Sequence, residues 1–138
     1  MSEAEELVRQ ALNAWNRRDI EALFALTDPA VEYVNAPEAV EPGTRRGRDE
    51  VSKVMQKQWE ILEEGHQEIA AVHERGEEII TENIASRRMP ESDDWIENHV
   101  LISWTVRDGV ITRIEVLGGG SGFAEARARA GIGEGPAA

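Results

Sequence analysis

Tyr33 and Asn35 are the residues of this sequence whose types and spacing are best suited to chemistry. They lie two positions apart in segment 31–35, whose β-branched and aromatic residues are typical of a strand. Alternate residues of a strand point to one face, so a phenol and an amide at this spacing can converge on one bound water or ligand group. The alternative is that the pair has only a structural role, in which the buried Tyr hydroxyl is hydrogen-bonded to the neighbouring Asn. Because an amide cannot abstract a proton as a carboxylate does, Asn35 is expected to orient a ligand or water and not to act as a general base.

The other reactive side chains form no recognisable catalytic or metal-binding set. His66, His73 and His99 are too scattered for a reliable set of ligands, so no metal site is predicted. A surface or dimer contact is expected for His99, which falls on the predicted outer face of its strand. The sequence contains no Cys, which excludes disulfides, thiolate metal sites and a cysteine nucleophile. The glycine-rich run 118–122 lacks the Lys and following Thr of a phosphate-binding loop, so it is interpreted as a flexible joint and no cofactor is predicted.

The first half of the chain has the apolar spacing of helices. An amphipathic helix is predicted over 3–18, and Asp19 is a suitable N-cap for a short second helix over 20–26. A third helical stripe runs from 49 to about 64 and includes the polar Gln58. Three helices are therefore expected to support the predicted strand that carries Tyr33 and Asn35, with loop 36–47 between that strand and the third helix.

The second half has the two-residue period of strands. Strands are predicted at about 66–74, 78–89, 95–107 and 110–117, with hairpin turns at 75–76 and 107–109. In the third of these strands the even-numbered positions are apolar, so its even face is expected to look inward. Helices followed by a strand meander predict an α+β fold in which the helices cover one face of a mostly antiparallel sheet.

Length, composition and charge limit the class of protein. The 138 residues suit one domain, and 41% hydrophobic with 30% charged residues is a globular balance. A net charge of −12 would repel nucleic acid and anionic membranes, so neither is expected as a partner. No apolar run is long enough to span a bilayer and the first residues are acidic, so a cytoplasmic location is expected. A folded domain is expected over 1–120, followed over 121–138 by a short helix and a flexible tail that frays from Gly131.

Five segments occur in an order that is typical of one superfamily. They are 14–23 in the first helix pair, 31–37 at the first strand, 43–48 before the third helix, 104–109 at the last hairpin and 123–132 in the last helix. In this order they resemble the nuclear-transport-factor-2-like superfamily, which includes SnoaL-like polyketide cyclases, ketosteroid isomerases and limonene epoxide hydrolases. The resemblance implies a cone-shaped barrel, with three N-terminal helices packed on a curved, mostly antiparallel sheet around a deep apolar pocket.

The residues at 33–37 are similar to the segment of limonene epoxide hydrolases whose Tyr and Asn help to hold the attacking water. By the same similarity, Thr81 and Asn83 should point into the cone and Glu82 away from it. Those hydrolases also need an Arg and two Asp, but Asn83 stands where the Arg would lie and Val116 where one Asp would lie. The acids of ketosteroid isomerases and cyclases have no counterpart either. The resemblance therefore implies a pocket that offers a phenol and amides but no carboxylate.

These observations predict a protein that binds a small, largely apolar molecule. Tyr33 and Asn35 would position water or ligand, and the other expected pocket residues are Trp15, Met55, Trp59, Asn83, Asn98 and Trp104. Two alternatives stay open. One is an isomerase, cyclase or epoxide hydrolase that uses Tyr33 and Asn35 to position water or an enol, and the other is a structural or partner-binding module.

A homodimer is also expected. The odd-numbered residues Leu101, Ser103 and Thr105 should lie on the outer face of the sheet, where small and apolar side chains can pair with a second copy. The resemblance to dimeric family members implies the same assembly.

Overall fold

The computed structural model describes residues 1–37, 39, 41–61, 64–88 and 91–133, which contain four α-helices and six strands. The helices are α1 (Glu3–Asn16), α2 (Ile20–Phe24), α3 (Arg48–Ile61) and α4 (Phe123–Arg129), the last preceded by a 3₁₀ turn at Gly120–Gly122. The strands are β1 (Thr27–Asn35), β2 (Gly43–Arg46), β3 (Gly65–Arg75), β4 (Glu78–Arg88), β5 (Trp95–Arg107) and β6 (Val110–Gly119). The predicted α+β class is confirmed.

One six-stranded sheet carries all the described strands in the order β2-β1-β6-β5-β4-β3. β1 pairs with β6 in parallel, and the other neighbours pair antiparallel. The sheet is curved but does not close on itself, so β2 and β3 are its edges. The helices pack against this sheet, as in the cone fold that the resemblance implied.

Local hydrogen bonds hold α1 and α2 in place over the sheet. Ser2 Oγ accepts the amide of Glu5 at 3.0 Å at the start of α1, and Asp19 caps α2 as predicted by accepting the amide of Ala22 at 3.1 Å. At the other end of α1, the Asn16 side chain bonds both main-chain groups of Gln67 in β3, at 2.8 and 2.9 Å. This double contact fixes the end of α1 over the edge of the sheet and so fixes the neighbouring Trp15.

The inner face of the sheet forms the main core with the helices. The predicted inward face of β5 is confirmed, because Ile102 and Trp104 are buried in this core. Thr81 and Asn83 are fully buried, and Thr81 Oγ1 accepts the indole N–H of Trp104 at 3.0 Å. Glu82 lies on the opposite face, as predicted, where it contacts α4 through Arg127.

The outer face of the sheet is covered in part by the C-terminal segment of the same chain. Ile80 and Leu101 form a second cluster with Ala126 and Ile132. The expectation that Leu101 is free to meet a second copy is therefore wrong, because it is fully buried in the single chain. Ser103 is likewise buried, and its hydroxyl donates a hydrogen bond to Glu78. Ser103 is therefore not exposed to a second copy in this structure.

The glycine run and the tail also differ from the sequence-based expectation. Gly118 belongs to β6 and lets α4 approach closely, since a Cβ at this position would lie 2.9 Å from that of Ala126. Ile132, in the tail that is predicted to fray, is 8% exposed and packs in the outer cluster. Residues 134–138 lie outside the described residues.

Two predicted boundaries changed, one of them because the edge strand β2 is polar and lacks an apolar period. The loop predicted over 36–47 contains β2, whose Arg46 pairs with Glu32 of β1 through Nε at 2.8 Å. β1 begins at Thr27, four residues before the predicted strand segment 31–35. The predicted ends of the third helix and of the strand at 78–89 include residues 62, 63 and 89, which lie outside the described residues.

Candidate ligand-binding site

A partly open cavity of about 250 Å³ lies between the helices and the inner face of the sheet. Its volume is near the lower end of the range of roughly 300–1,000 Å³ that small-molecule sites occupy, so a ligand that fits it is small. The apolar lining comprises Ala11, Leu12, Trp15, Leu23, Met55, Ile61, Val100, Ile102, Trp104, Ile114 and Val116. The polar lining comprises Tyr33, Asn35, Glu41, Gln58, Gln67 and Arg87.

The walls combine predicted and unpredicted positions. Trp15 of α1, Met55 of α3 and Trp104 of β5 line the cavity. Trp59 does not line it but packs behind Trp15, with the ring centroids 6.2 Å apart and the planes tilted by 56°. Trp59 thus packs against the Trp15 side chain that lines the cavity. The helical spacing of the sequence placed each tryptophan on the apolar side of its own helix.

Tyr33 bonds to a helix side chain rather than to its neighbour on the strand. Its hydroxyl donates to Gln58 Oε1 of α3 at 3.3 Å, so the structural alternative of a Tyr33–Asn35 bond is wrong. Burial raises the pKa of Tyr33, and the hydrogen bond to Gln58 lowers it by less. The phenol is therefore neutral in the physiological range. Gln58 was visible in the sequence as a polar residue in an apolar helical stripe, and this was the signal of its role.

Asn35 points toward the cavity and also holds the loop that follows β1. It is 6% exposed, and its Nδ2 donates to the main-chain oxygen of Glu41 at 2.8 Å. This bond brings Glu41 to the rim of the cavity. Asn35 therefore positions a second lining residue, which strand periodicity alone could not indicate.

Glu41 also belongs to the cavity lining, while its carboxylate lies among cations that border a different surface cavity. The expectation of a pocket without a carboxylate therefore stays a prediction. The Glu41 oxygens pair with Lys57 Nζ at 3.0 Å and with an Arg45 guanidinium nitrogen at 3.2 Å. The hydrogen bond from Lys57 lowers the pKa of Glu41 most, partial desolvation opposes it, and Arg45 lowers it further. The carboxylate is thus ionised. The loop between β1 and β2 places Glu41 here, and the sequence around Glu41 has no helix or strand periodicity that could have indicated this position.

The two predicted asparagines on the sheet lie beside the cavity and not in its lining. Asn83 is fully buried and its Nδ2 donates to Gln67 Oε1 at 2.8 Å, so it holds a lining side chain in place. Asn98 is exposed and borders an adjacent cavity of about 210 Å³. Trp15, Gln67 and Arg87 border both cavities.

Arg87 is a lining residue that the sequence analysis missed. It lies in β4 four residues after Asn83, and the β4–β5 register runs from Asn83 to Arg87 without a bulge. Alternation therefore puts both side chains on the inner face of the sheet. The same parity argument that was applied to Asn83 could have identified Arg87.

The described residues contain no group of three or more potential metal-ligating side chains. Within them, no helix is both long and apolar enough to cross a membrane.

Comparisons with known proteins agree with the fold. The family model of the SnoaL-like domain matches residues 8–114, and no curated protein matches. TerC, co-crystallised with polyporic acid, is 21% identical, with a TM-score of 0.75 over 83% of this chain and 90% of that chain. A hypothetical protein with a ketosteroid isomerase-like fold from Catenulispora acidiphila, in complex with trimethylamine, is 20% identical, with a TM-score of 0.70 over 80% of this chain and 83% of that chain. An NTF2-like protein of unknown function from Burkholderia pseudomallei is 21% identical, with a TM-score of 0.73 over 84% and 90%.

Proposed function

Because the chain belongs to the SnoaL-like family, whose members bind small molecules and include isomerases and cyclases, we propose that it binds a small, largely apolar molecule in the 250 Å³ cavity. The observation that carries this proposal is the chemistry of the lining. Its floor and walls are mostly apolar, and its polar groups are few. A pocket of this composition binds chiefly by removing apolar surface from water, while a few polar groups set the orientation.

The protonation states in the cavity favour binding over proton transfer. Tyr33 has a raised pKa and stays neutral, while Glu41 has a lowered pKa and stays ionised in its ion pairs. A general acid or base works best when its pKa lies near the operating pH. The shifts of Tyr33 and Glu41 both lead away from that range. The small molecules bound in two structural neighbours also support a binding role for the cavity.

A binding assay tests the proposal directly. Trp15 and Trp104 line the cavity, so an apolar compound that enters it should change the intrinsic tryptophan fluorescence. We expect an apolar probe such as naphthalene to bind the wild type at micromolar concentration. Native mass spectrometry of the freshly purified protein gives an independent readout, since a copurified molecule would appear as added mass.

A matched pair of variants separates cavity binding from surface binding. Val116→Phe fills the cavity and is expected to reduce probe affinity at least about 10-fold by steric exclusion. Val110→Phe adds the same ring to the same strand outside the lining and should leave affinity within about 2-fold. Equal binding to both variants would place the probe outside the cavity and contradict the proposal.

An enzyme of the isomerase, cyclase or epoxide hydrolase type is the second candidate, because Glu41 and Tyr33 both line the cavity. We expect no turnover of a terpene epoxide or of a 3-oxo-Δ5-steroid by the wild type, since neither group has a pKa suited to proton transfer. Asn35→Asp introduces a carboxylate at the position that isomerases use and serves as the gain-of-function arm. Wild-type turnover that disappears in Tyr33→Phe would make the enzyme the better assignment.

A further inference from the structure

Arg87 is a half-buried cation without a partner in the part of the chain that the structure describes. The adjacent Arg88, on the opposite face of β4, is by contrast paired with Glu64 at 3.0 Å. The side chain of Arg87 is only partly withdrawn from water, and none of its nitrogens is among the fully buried side-chain atoms that lack a hydrogen-bond partner. An anionic group in the cavity can therefore replace water at this guanidinium and accept charge-assisted hydrogen bonds from it.

The register of the sheet leaves the inward side of Arg87 open. Its neighbour on β3 is Gly65, which has no side chain, and its neighbour on β5 is Ile96, which is apolar. Arg87 borders both the main cavity and the adjacent one. The guanidinium side chain is thus available to a molecule in the cavity.

Gln67 adds a neutral donor beside Arg87. Its main chain is held by Asn16 and its Oε1 by Asn83, so both its position and its orientation are set. The remaining polar atom of this side chain is Nε2, a donor that makes no hydrogen bond within the described residues. Arg87 presents only donors, and Gln67 adds the donor Nε2, so the pair favours a ligand acceptor and in particular an anion.

The polar groups at the other end of the cavity already have partners. Tyr33 lies on β1, three strands away from Arg87 on β4, and its hydroxyl is bonded to Gln58. The carboxylate of Glu41 is paired with Lys57 and Arg45. Between these ends the floor is formed by apolar residues of β5 and β6, such as Ile102 and Ile114.

We propose that the ligand of this cavity is an apolar acid, a small molecule whose carboxylate or equally acidic oxygen pairs with Arg87 and Gln67 while its apolar body lies against Trp15 and Val100, which border both cavities as Arg87 does. The inference rests on the proposed binding function and adds the chemical class of the ligand. A planar guanidinium can bind a carboxylate through two parallel hydrogen bonds, which a neutral isostere cannot match.

The test compares 2-naphthoate with 2-naphthamide, which have nearly the same shape but differ in charge. We expect the wild type to bind the acid about 10-fold more tightly than the amide, as measured by isothermal titration calorimetry. Arg87→Ala and Arg87→Gln should each lose that preference and leave amide affinity within about 2-fold. Arg87→Lys should retain part of it, because an ammonium supplies the charge without the planar fork. Arg88→Ala is the matched control and should bind like the wild type.

The outcomes distinguish this inference from the function on which it rests. Equal affinities for acid and amide in the wild type, unchanged in Arg87→Gln, overturn the assignment of an acidic ligand but leave apolar binding intact. Binding of neither compound contradicts both the inference and the proposed function. Circular dichroism confirms that each variant is folded, and Arg87→Gln keeps much of the side-chain volume if Arg87→Ala does not fold.

Discussion

Tyr33 is the only tyrosine of the sequence, so its ionisation can be followed without overlap from another phenol. Burial raises its pKa above the ordinary value of about 10. We expect the phenolate absorbance of the folded protein to appear at higher pH than in the protein unfolded in urea. Because the folded state holds the proton more tightly, this group should contribute stability below about pH 10 that is lost as the pH rises further. Coincident titrations in the folded and unfolded protein would contradict the buried position of Tyr33.

At the scale of elements, a cluster of charged side chains fastens α4 to the outer face of the sheet. Glu82 of β4 pairs with His73 Nε2 of β3 at 2.6 Å and with Arg127 of α4 at 2.8 Å. Partial burial raises the pKa of Glu82, but the hydrogen bonds from His73 and Arg127 outweigh it and the net pKa is lowered. The carboxylate form of Glu82 thus links three elements.

Glu82→Gln tests this link. We expect the variant to lose about 1–2 kcal/mol of unfolding free energy near neutral pH, because Arg127 would lose its anionic partner. A lowered carboxyl pKa contributes stability above the unfolded value of about 4.3 that is lost as pH falls through the folded pKa. The difference between wild type and variant should therefore shrink in acid, as measured by urea denaturation from pH 7 to pH 3. Glu97→Gln, at an exposed position on β5, is the control and should differ from wild type by less than about 0.5 kcal/mol.

For the whole molecule, a homodimer stays a prediction, but the surface available for it has changed. α4 and Ile132 cover Leu101, so a second copy would have to use the part of the outer face beyond this cover. Ile84 lies there, on the strand face opposite to Asn83 and between Glu68 and His99. We expect sedimentation to show a dimer at micromolar concentration and Ile84→Glu to shift it toward the monomer. Ser52→Glu, which adds the same charge on α3, should leave the dimer intact. A monomeric wild type would contradict the prediction.

The fold was predictable because its elements have regular periods. The even-numbered apolar residues of β5 include Ile102 and Trp104, and they face the core as strand alternation required. The N-cap Asp19 follows from a rule of the same short range, whereas the inward position of Thr81 was implied by the family resemblance. Such rules depend on a few neighbouring residues, so a single sequence contains all the information that they need.

The amino-acid sequence by itself determined the α+β fold, the helix and strand periods and the inward positions of Tyr33 and Asn35. Only the tertiary structure decided that Gln58 would bond Tyr33, that Glu41 would reach the cavity and that Arg87 would have no partner among the described residues. Local periodicity specifies which face of an element a residue occupies. Which side chains meet across that face depends on how loops close and how the sheet curves, since these contacts join residues far apart in the chain.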